Sequence, residues 1–435
     1  MSDHEFLGTV WVRQQQAASA RAMDRAISAT GLAHHRPGFG WTVRPAPGSV
    51  LASPYPGHWD PAPDYVHHWV RDAAIVMRAL PHAMAVEGPE SQARWQRKLD
   101  EYLSFSLLIS DPSRRGPAVN PLWPTTAADH LDYLRPDAEL AALTGAAWLG
   151  EPRCAADGGP DLERWSRPQH DGPALRAQSL LALIEAGVVM DDAKMSQMLS
   201  RDFAQLLGTA GLATIGPWEE PPERHVTFTL IAQYDSLQRG ADWAVHMPEL
   251  SAQLAARAED LLPLVLSATG RDGALGESIE DPERADIGVL MALIDAGRWE
   301  GPLALDGPRA LATLARLESI FAEDYPINRG RAVPAMGRWR GDVFFGGNPW
   351  VPCTLAAAEL DYRLAARHRD RARFARGEAR MALMAEVAPA GDDLPEQFDK
   401  VTGAPRSSPA LTWSAAAFLS AAAARDRALQ LLGER

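Results

Sequence analysis

The sequence predicts an all-α protein folded as an (α/α)6 toroid, a ring of six helical hairpins. Three observations lead there. Apolar residues recur at three- and four-residue spacing along most of the 435 residues, while the two-residue alternation of strands is scarce. The periodic stretches number twelve. The segments between them alternate in length, short after each even-numbered helix and long after each odd-numbered one.

In order, helices are expected over 5–29, 66–85, 90–110, 173–188, 192–209, 225–245, 248–268, 284–297, 308–323, 349–368, 371–387 and 409–431. Asp171-Gly172-Pro173, Asn348-Pro349 and Ser408-Pro409 mark three starts, each a capping residue closely followed by a proline whose missing N–H costs nothing in a first turn. Short connections make antiparallel neighbours. Six repeats of outer helix, long loop, inner helix and tight return bring every long loop to one end, over the N-terminal ends of the inner helices. Loops gathered on one face of a rigid scaffold are where sites are built. An open helical array fits the number of helices but not the alternation. With no low-complexity linker, residues 1–435 read as a single domain.

Composition narrows the partners. The chain is 46% hydrophobic and 23% charged, an ordinary globular balance. With 43 Lys and Arg against 56 Asp and Glu, its formal net charge is −13. That argues against nucleic acid and anionic membranes, which need a basic face. Fourteen Trp against seven Tyr hint at carbohydrate, because sugar rings offer apolar faces to indoles. Core filling accounts for about half of those indoles. Only Cys154 and Cys353 occur, which fits a reducing compartment. The first residues show no basic segment followed by an apolar stretch, and no long uncharged apolar run occurs, so a cytoplasmic protein is expected.

The long loops carry the chemistry. The first ends in Pro63-Asp64-Tyr65-Val66-His67-His68-Trp69-Val70-Arg71-Asp72, where a cation and a carboxylate can grip vicinal hydroxyls beside an aromatic ring. Taken alone, the stretch reads as a capped helix with a surface ion pair. His67 and His68 lack a third ligand at metal spacing and read as packing or hydrogen-bonding residues. The second loop holds Trp123, then Trp165, Arg167 and Asp171, the last also a plain N-cap candidate. The third gives Trp218-Glu219-Glu220. Mutual repulsion and burial against indole would raise a carboxyl pKa there and suit a general acid, although a solvated acidic turn has the same letters. The fifth carries Arg338 and Trp350, and the sixth the lone acid Glu396 in a proline-bounded loop. Trp with Arg or carboxylate in five of six loops is what a sugar pocket with two catalytic carboxylates requires.

These stretches resemble the glucoamylase family, glycoside hydrolase family 15, along nearly the whole chain. The likeness rests on Ala52-Ser53-Pro54 with Trp69-Val70-Arg71-Asp72, Arg167-Pro168-Gln169 with Asp171-Gly172-Pro173-Ala174-Leu175-Arg176-Ala177, Trp218-Glu219-Glu220, Gly347-Asn348-Pro349-Trp350 with Cys353-Thr354-Leu355-Ala356, and Glu396-Gln397-Phe398-Asp399 with Leu411-Thr412-Trp413-Ser414. The resemblance implies an exo-acting, inverting α-glucosidase that releases β-glucose from soluble α-glucans or oligosaccharides without a cofactor. It implies Glu219 as general acid and Glu396 as general base. Arg71, Asp72 and Arg338 would hold the terminal sugar, Trp69 and Trp165 would wall the pocket, and Glu220 would bind beside the acid. Trp123, Arg167, Asp171, Trp218 and Trp350 complete the candidate substrate-binding set. Helix N-termini aimed at the pocket favour carboxylates, which suits Glu396; Glu220, Trp218 and burial are expected to outweigh that effect at Glu219.

The chain departs from the family pattern in places. Ser166 precedes Arg-Pro-Gln where the family has Gly, Pro352 interrupts the Trp-x-x-Cys stretch, and Pro221 and Pro222 follow the Glu pair. A starch-binding module and a hydroxyl-rich linker are absent from these residues. Isomaltooligosaccharides, dextran, trehalose or transfer to a sugar acceptor stand as alternatives to maltooligosaccharides. A sugar epimerase on the same scaffold would want paired histidines in the long loops, and a non-catalytic sugar-binding protein would not need both carboxylates.

Overall fold

The computed structural model describes residues 3–59, 61–389 and 391–433. All twelve expected helices are present. The first is α1, Asp3–Ala26. The second is split into α2, Val70–Arg78, and α3, Leu80–Glu87. It begins later than expected because His67–Trp69 is a strand, β3, paired antiparallel with β4, Arg153–Ala155, in the register His68 to Cys154. It breaks at Ala79 because Pro81 has no N–H for the carbonyl of Met77 and its ring crowds that oxygen.

Helix α4 is Gln92–Ile109. The long segment after it holds two short helices, α5, Asp137–Ala141, and α6, Ala146–Leu149. Then come α7, Gly172–Glu185; α8, Asp192–Thr209; α9, Thr227–Trp243; and α10, Pro248–Ser267. They are followed by α11, Ile287–Ala296; α12, Pro308–Asp324; α13, Val351–His368; α14, Arg371–Val387; and α15, Thr412–Leu432. Helices α13 and α15 start two or three residues after their proline signals. The Asn348 side chain does not cap α13; it donates to the carbonyl of Phe345 and accepts from the backbone of Lys400. Two hairpins lie in the loops: β1, His34–Arg36, with β2, Trp41–Val43, and β5, Gln397–Phe398, with β6, Pro405–Arg406.

Helices α2, α7, α9, α11, α13 and α15 pack in that order and close on themselves, α15 against α2. Helices α1, α4, α8, α10, α12 and α14 lie outside them. Burial follows this division. In α11 every residue but Asp295 is buried, whereas α4 buries one stripe that includes Trp95, Leu99, Tyr102 and Leu103. The architecture is an (α/α)6 barrel. The outer helix α1 packs on α15, where Trp11 meets Phe418 edge-on at 5.4 Å and the Trp11 indole N–H donates to the carbonyl of Ala388. Among the described residues, no helix is long and apolar enough to cross a membrane.

At the C-terminal ends of the inner helices, three arginines close the ring. Arg78, Arg239 and Arg363 donate to the terminal carbonyls of α11, those of Asp295, Ala296 and Ile294. Such carbonyls have no partner within their own helix. The buried carboxylate of Asp235 accepts from Gln178, Arg239 and Arg298 at 2.8, 2.9 and 2.8 Å. At the opposite end, the α4–α7 segment carries its own core of Leu122, Leu134, Leu140, Leu143, Trp148 and Leu162. Beneath it runs a buried charge network in which Asp161 holds Arg153 and Arg167, and Glu151 holds Arg167 and Arg135.

Candidate active site

Over the N-terminal ends of the inner helices the long loops enclose a cavity of about 510 Å³. Ten of the thirteen residues singled out in the sequence line it: Trp69, Arg71, Asp72, Trp165, Trp218, Glu219, Glu220, Arg338, Trp350 and Glu396.

Three do not. Asp171 sits one layer behind and binds Arg71 at 2.8 Å; although it occupies the N-cap position of α7, its side chain does not cap the helix. Arg167 is held in the charge network under the wall, on Glu151 and Asp161. Trp123 stands on the surface, 39% exposed, with its indole N–H on Asp137 at 2.8 Å. A tryptophan in a long loop looks the same in sequence whether it faces the mouth or the outer flank.

Glu219 lies in a tight turn between α8 and α9. Gly216 opens the turn at φ +69°, where a Cβ would come within 2.9 Å of Val226, and Glu219 itself takes φ +63°. Non-glycine residues held there are strained, which is common at functional sites. One oxygen of Glu219, Oε1, accepts three N–H groups: from Trp69 at 2.8 Å, Gln169 at 3.0 Å and Arg71 at 3.1 Å. Arg71 is held in turn by Gln169 and Asp171. Glu220 does not crowd Glu219 as the sequence suggested; it turns away to Arg338 at 3.0 Å. The Trp218 indole likewise faces Asp286.

Arg338 is clamped by Asp342 and sits among the rings of Trp218, Trp339, Phe344 and Trp350, its guanidinium carbon 4.1–5.5 Å from their centroids. Across the cavity, Glu396 is 3% exposed. The β5–β6 hairpin sets Ser407 opposite it, and the Ser407 hydroxyl donates to Oε2 while the Tyr65 hydroxyl donates to Oε1 at 3.3 Å. Burial pushes the Glu396 carboxyl up to about 7, against the pull of Ser407, Arg338 and Tyr65. Burial also raises Asp72 to about 7, and Arg71 opposes it.

The aromatic wall runs outward from Trp69 to Trp165 and on to Trp59 at the mouth, with ring centroids 5.6 and 5.9 Å apart. The buried guanidinium of Arg153 lies behind it, 3.7 Å from the centroid of Trp165 and 5.0 Å from that of Trp69. Sequence reasoning missed Trp59, Arg164, Phe344 and Ser407, and took Tyr65 and Trp413 only as motif letters; all but Ser407 line the cavity. Tyr65 had a usable signal, since it lies in the run leading into Trp69. Ser407 had none, because a hairpin register brings it in.

Among the described residues, no three His, Cys, Asp or Glu side chains gather to hold a metal. His68 packs against Phe105, accepts the backbone N–H of Val50 at 3.0 Å and is pushed down to about 3 by burial.

Residues 145–423 match the family described as glycosyl hydrolases family 15. Glucoamylase-1 of Schizophyllum commune is 26% identical over 88% of this chain and 70% of its own. The chain spans 64–70% of the length of that protein and two further fungal glucoamylases. The family 15 glucoamylase of Hypocrea jecorina superposes with a TM-score of 0.76 at 23% identity, covering 96% of this chain and 72% of that one. The glucoamylase of Saccharomycopsis fibuligera gives 0.73 at 20% identity, covering 99% and 97%. Over most of its length the ring carries that family's sequence pattern, and the chain belongs to glycosyl hydrolases family 15, the glycoside hydrolases that include the glucoamylases.

Proposed function

We propose that the protein is an exo-acting, inverting α-glucosidase that removes β-D-glucose from the non-reducing ends of soluble α-glucans or oligosaccharides. The observation that carries this reading is the pairing of Glu219 and Glu396 in one cavity with unlike surroundings, N–H donors around the first and burial with two hydroxyls around the second.

Glu219 is the general acid. With three donors gathered on Oε1, Oε2 is the oxygen that carries the proton to the glycosidic oxygen, and the C1–O bond breaks as that proton moves. Glu396 is the general base. It takes a proton from water as the water oxygen bonds to C1 from the opposite face, so the configuration inverts. Inversion needs about 6.5–9.5 Å between the two carboxyls. Arg71, Asp72 and Arg338 are placed to grip the hydroxyls of the terminal glucose. Trp69, Trp165, Trp218 and Trp350 offer ring faces to its C–H groups. Below the cavity the ring is filled by its own core and closed by the arginines on α11, so a chain end, rather than a chain middle, fits the site.

Proton NMR of reactions with maltose, maltotriose, isomaltose, trehalose and dextran, followed from the first minutes, tests the reading. Prompt β-glucose is expected, and the substrate that yields it names the linkage. Prompt α-glucose beyond what the leaving sugar itself brings, which is half of the glucose from trehalose and the reducing-end anomers of maltose or isomaltose, overturns the roles of Glu219 and Glu396. Glucose-bearing products longer than the substrate, in place of free glucose, move the assignment to a glucosyltransferase.

A further inference from the structure

Asp286 does not line the cavity. It is 4% exposed and occupies the N-cap of α11, where Oδ1 accepts the backbone N–H of Gly288 at 2.6 Å. Both of its oxygens also accept the indole N–H of Trp218, each at 2.9 Å. That is more than a cap requires. Asp191 and Asp370 cap α8 and α14 by taking two backbone N–H groups each, whereas Asp286 takes one and spends the rest of its carboxylate on a side chain from another loop.

Trp218 needs such a hold. It sits between Gly216 and Glu219, both at positive φ, and the backbone bond that spans this turn runs from Glu219 N to Gly216 O at 3.3 Å. Ring packing fixes the plane of the indole: Trp413 lies at 9° and 6.5 Å, Trp350 at 5.6 Å and Trp339 at 6.1 Å. Ring packing is non-directional and does not by itself select which edge of the indole faces α11. A directed N–H bond makes that selection.

We propose that Asp286 is a positioning residue: by holding the indole of Trp218 it fixes the 217–220 turn, so that Glu219 meets Trp69, Arg71 and Gln169 while Glu220 meets Arg338. The proposal rests on the reading of Glu219 as the acid. Asp286 acts from the N-cap of α11 on the loop that precedes α9, so this turn takes its orientation from the neighbouring inner helix rather than from its own flanks.

The test uses Asp286→Asn and Asp286→Ser. Asparagine keeps an acceptor for both Gly288 and the indole. Serine still caps α11 but is too short to reach Trp218. On maltose, or whichever substrate proves best, the serine variant is expected to lose about tenfold or more in kcat, the scale of one lost charge-assisted bond, with KM changed much less. The asparagine variant, whose Oδ1 still accepts from the indole while Nδ2 replaces the second accepting oxygen, should fall between the parent and the serine variant. Independently of activity, the Trp218 indole N–H, assigned in 15N-Trp-labelled protein with Trp218→Phe, should be slow to exchange in the parent and the asparagine variant and fast in the serine variant. A folded serine variant with parental kcat, or an asparagine variant as impaired as serine, overturns the proposal. So does a parental Trp218 N–H that exchanges as fast as that of the exposed Trp123, a result readable even where the serine variant fails to fold. A parent inactive on every α-glucoside would overturn the hydrolase reading while leaving the indole exchange to decide on Asp286.

Discussion

The hydroxyl of Tyr65 stands 3.3 Å from Oε1 of Glu396, so the loop before α2 reaches across the ring seam to hold the carboxylate of the last loop. Tyr65→Phe removes a donor from a buried carboxylate. A hydrogen bond to a charged group contributes about 1.5–3 kcal/mol, so kcat should fall by roughly tenfold to a hundredfold. With that donor gone, the Glu396 carboxyl should rise further and the acid-side limb of kcat/KM should move to higher pH. An unmoved limb would separate Tyr65 from the base.

Glu219→Gln and Glu396→Gln should each lose on the order of 10²–10⁴-fold in kcat with sugar binding largely kept. Steady-state kinetics with calorimetric binding of a slow substrate checks this. A Glu219→Gln enzyme that turns over like the parent removes Glu219 from the mechanism. A general base at Glu396 must be ionised to act, and burial raises this carboxyl to about 7, so on the proposed roles kcat/KM of the parent should climb as pH rises toward neutrality.

Stability should move the other way. Asp72, Asp286 and Glu396 are each raised by burial to about 7, whereas carboxyls of an unfolded chain titrate near 4. Between those values the folded protein keeps protons that the unfolded chain has released. The contribution of these groups is therefore complete below about pH 4 and is lost as the pH rises through about 7. Melting temperature should fall from pH 5 to pH 8, and Asp286→Asn, which cannot ionise, should flatten that fall.

Arg239→Met should cost about 2 kcal/mol by stripping charge-assisted bonds from Asp235 and from the end of α11, at the far end of the ring from the cavity. Its melting temperature should drop while kcat of the folded enzyme stays at the parental value. A large loss of kcat at full stability would mean that the two ends of the barrel are coupled.

Trp123→Ala should leave kcat/KM on short oligosaccharides unchanged, because that indole lies outside the cavity lining. A selective loss on longer chains would return Trp123 to the binding set.

The alternation of loop lengths made the ring legible, because hairpin geometry leaves a long loop only one place to go. The pairing of Glu219 with Glu396 was legible through motif residues in separate loops. What escaped was whatever depended on register or exact boundaries. Asp286 falls inside the helix expected over 284–297, yet α11 begins at Ile287, so the residue is a cap and not an interior position. His67–Trp69 follows the helical period yet pairs as a strand, since Arg153–Ala155 lies beside it. The surroundings expected for Glu219 were inferred from its sequence neighbours, but side chains of adjacent residues point apart, and its true partners lie fifty and one hundred and fifty positions away.

The contact of α1 with α15 joins the beginning of the described chain to its end, and the site is divided along the same line. A nascent chain that has emerged only as far as the third hairpin already holds Trp69, Arg71 and Glu219, but not Glu396, Ser407 or Trp413. Until the last helix arrives, α1 can pack on α3 and α14 but not on α15, and the cavity lacks Trp413. A chain cut short before Glu396 would therefore carry half of the carboxylate pair, a ring without a keystone.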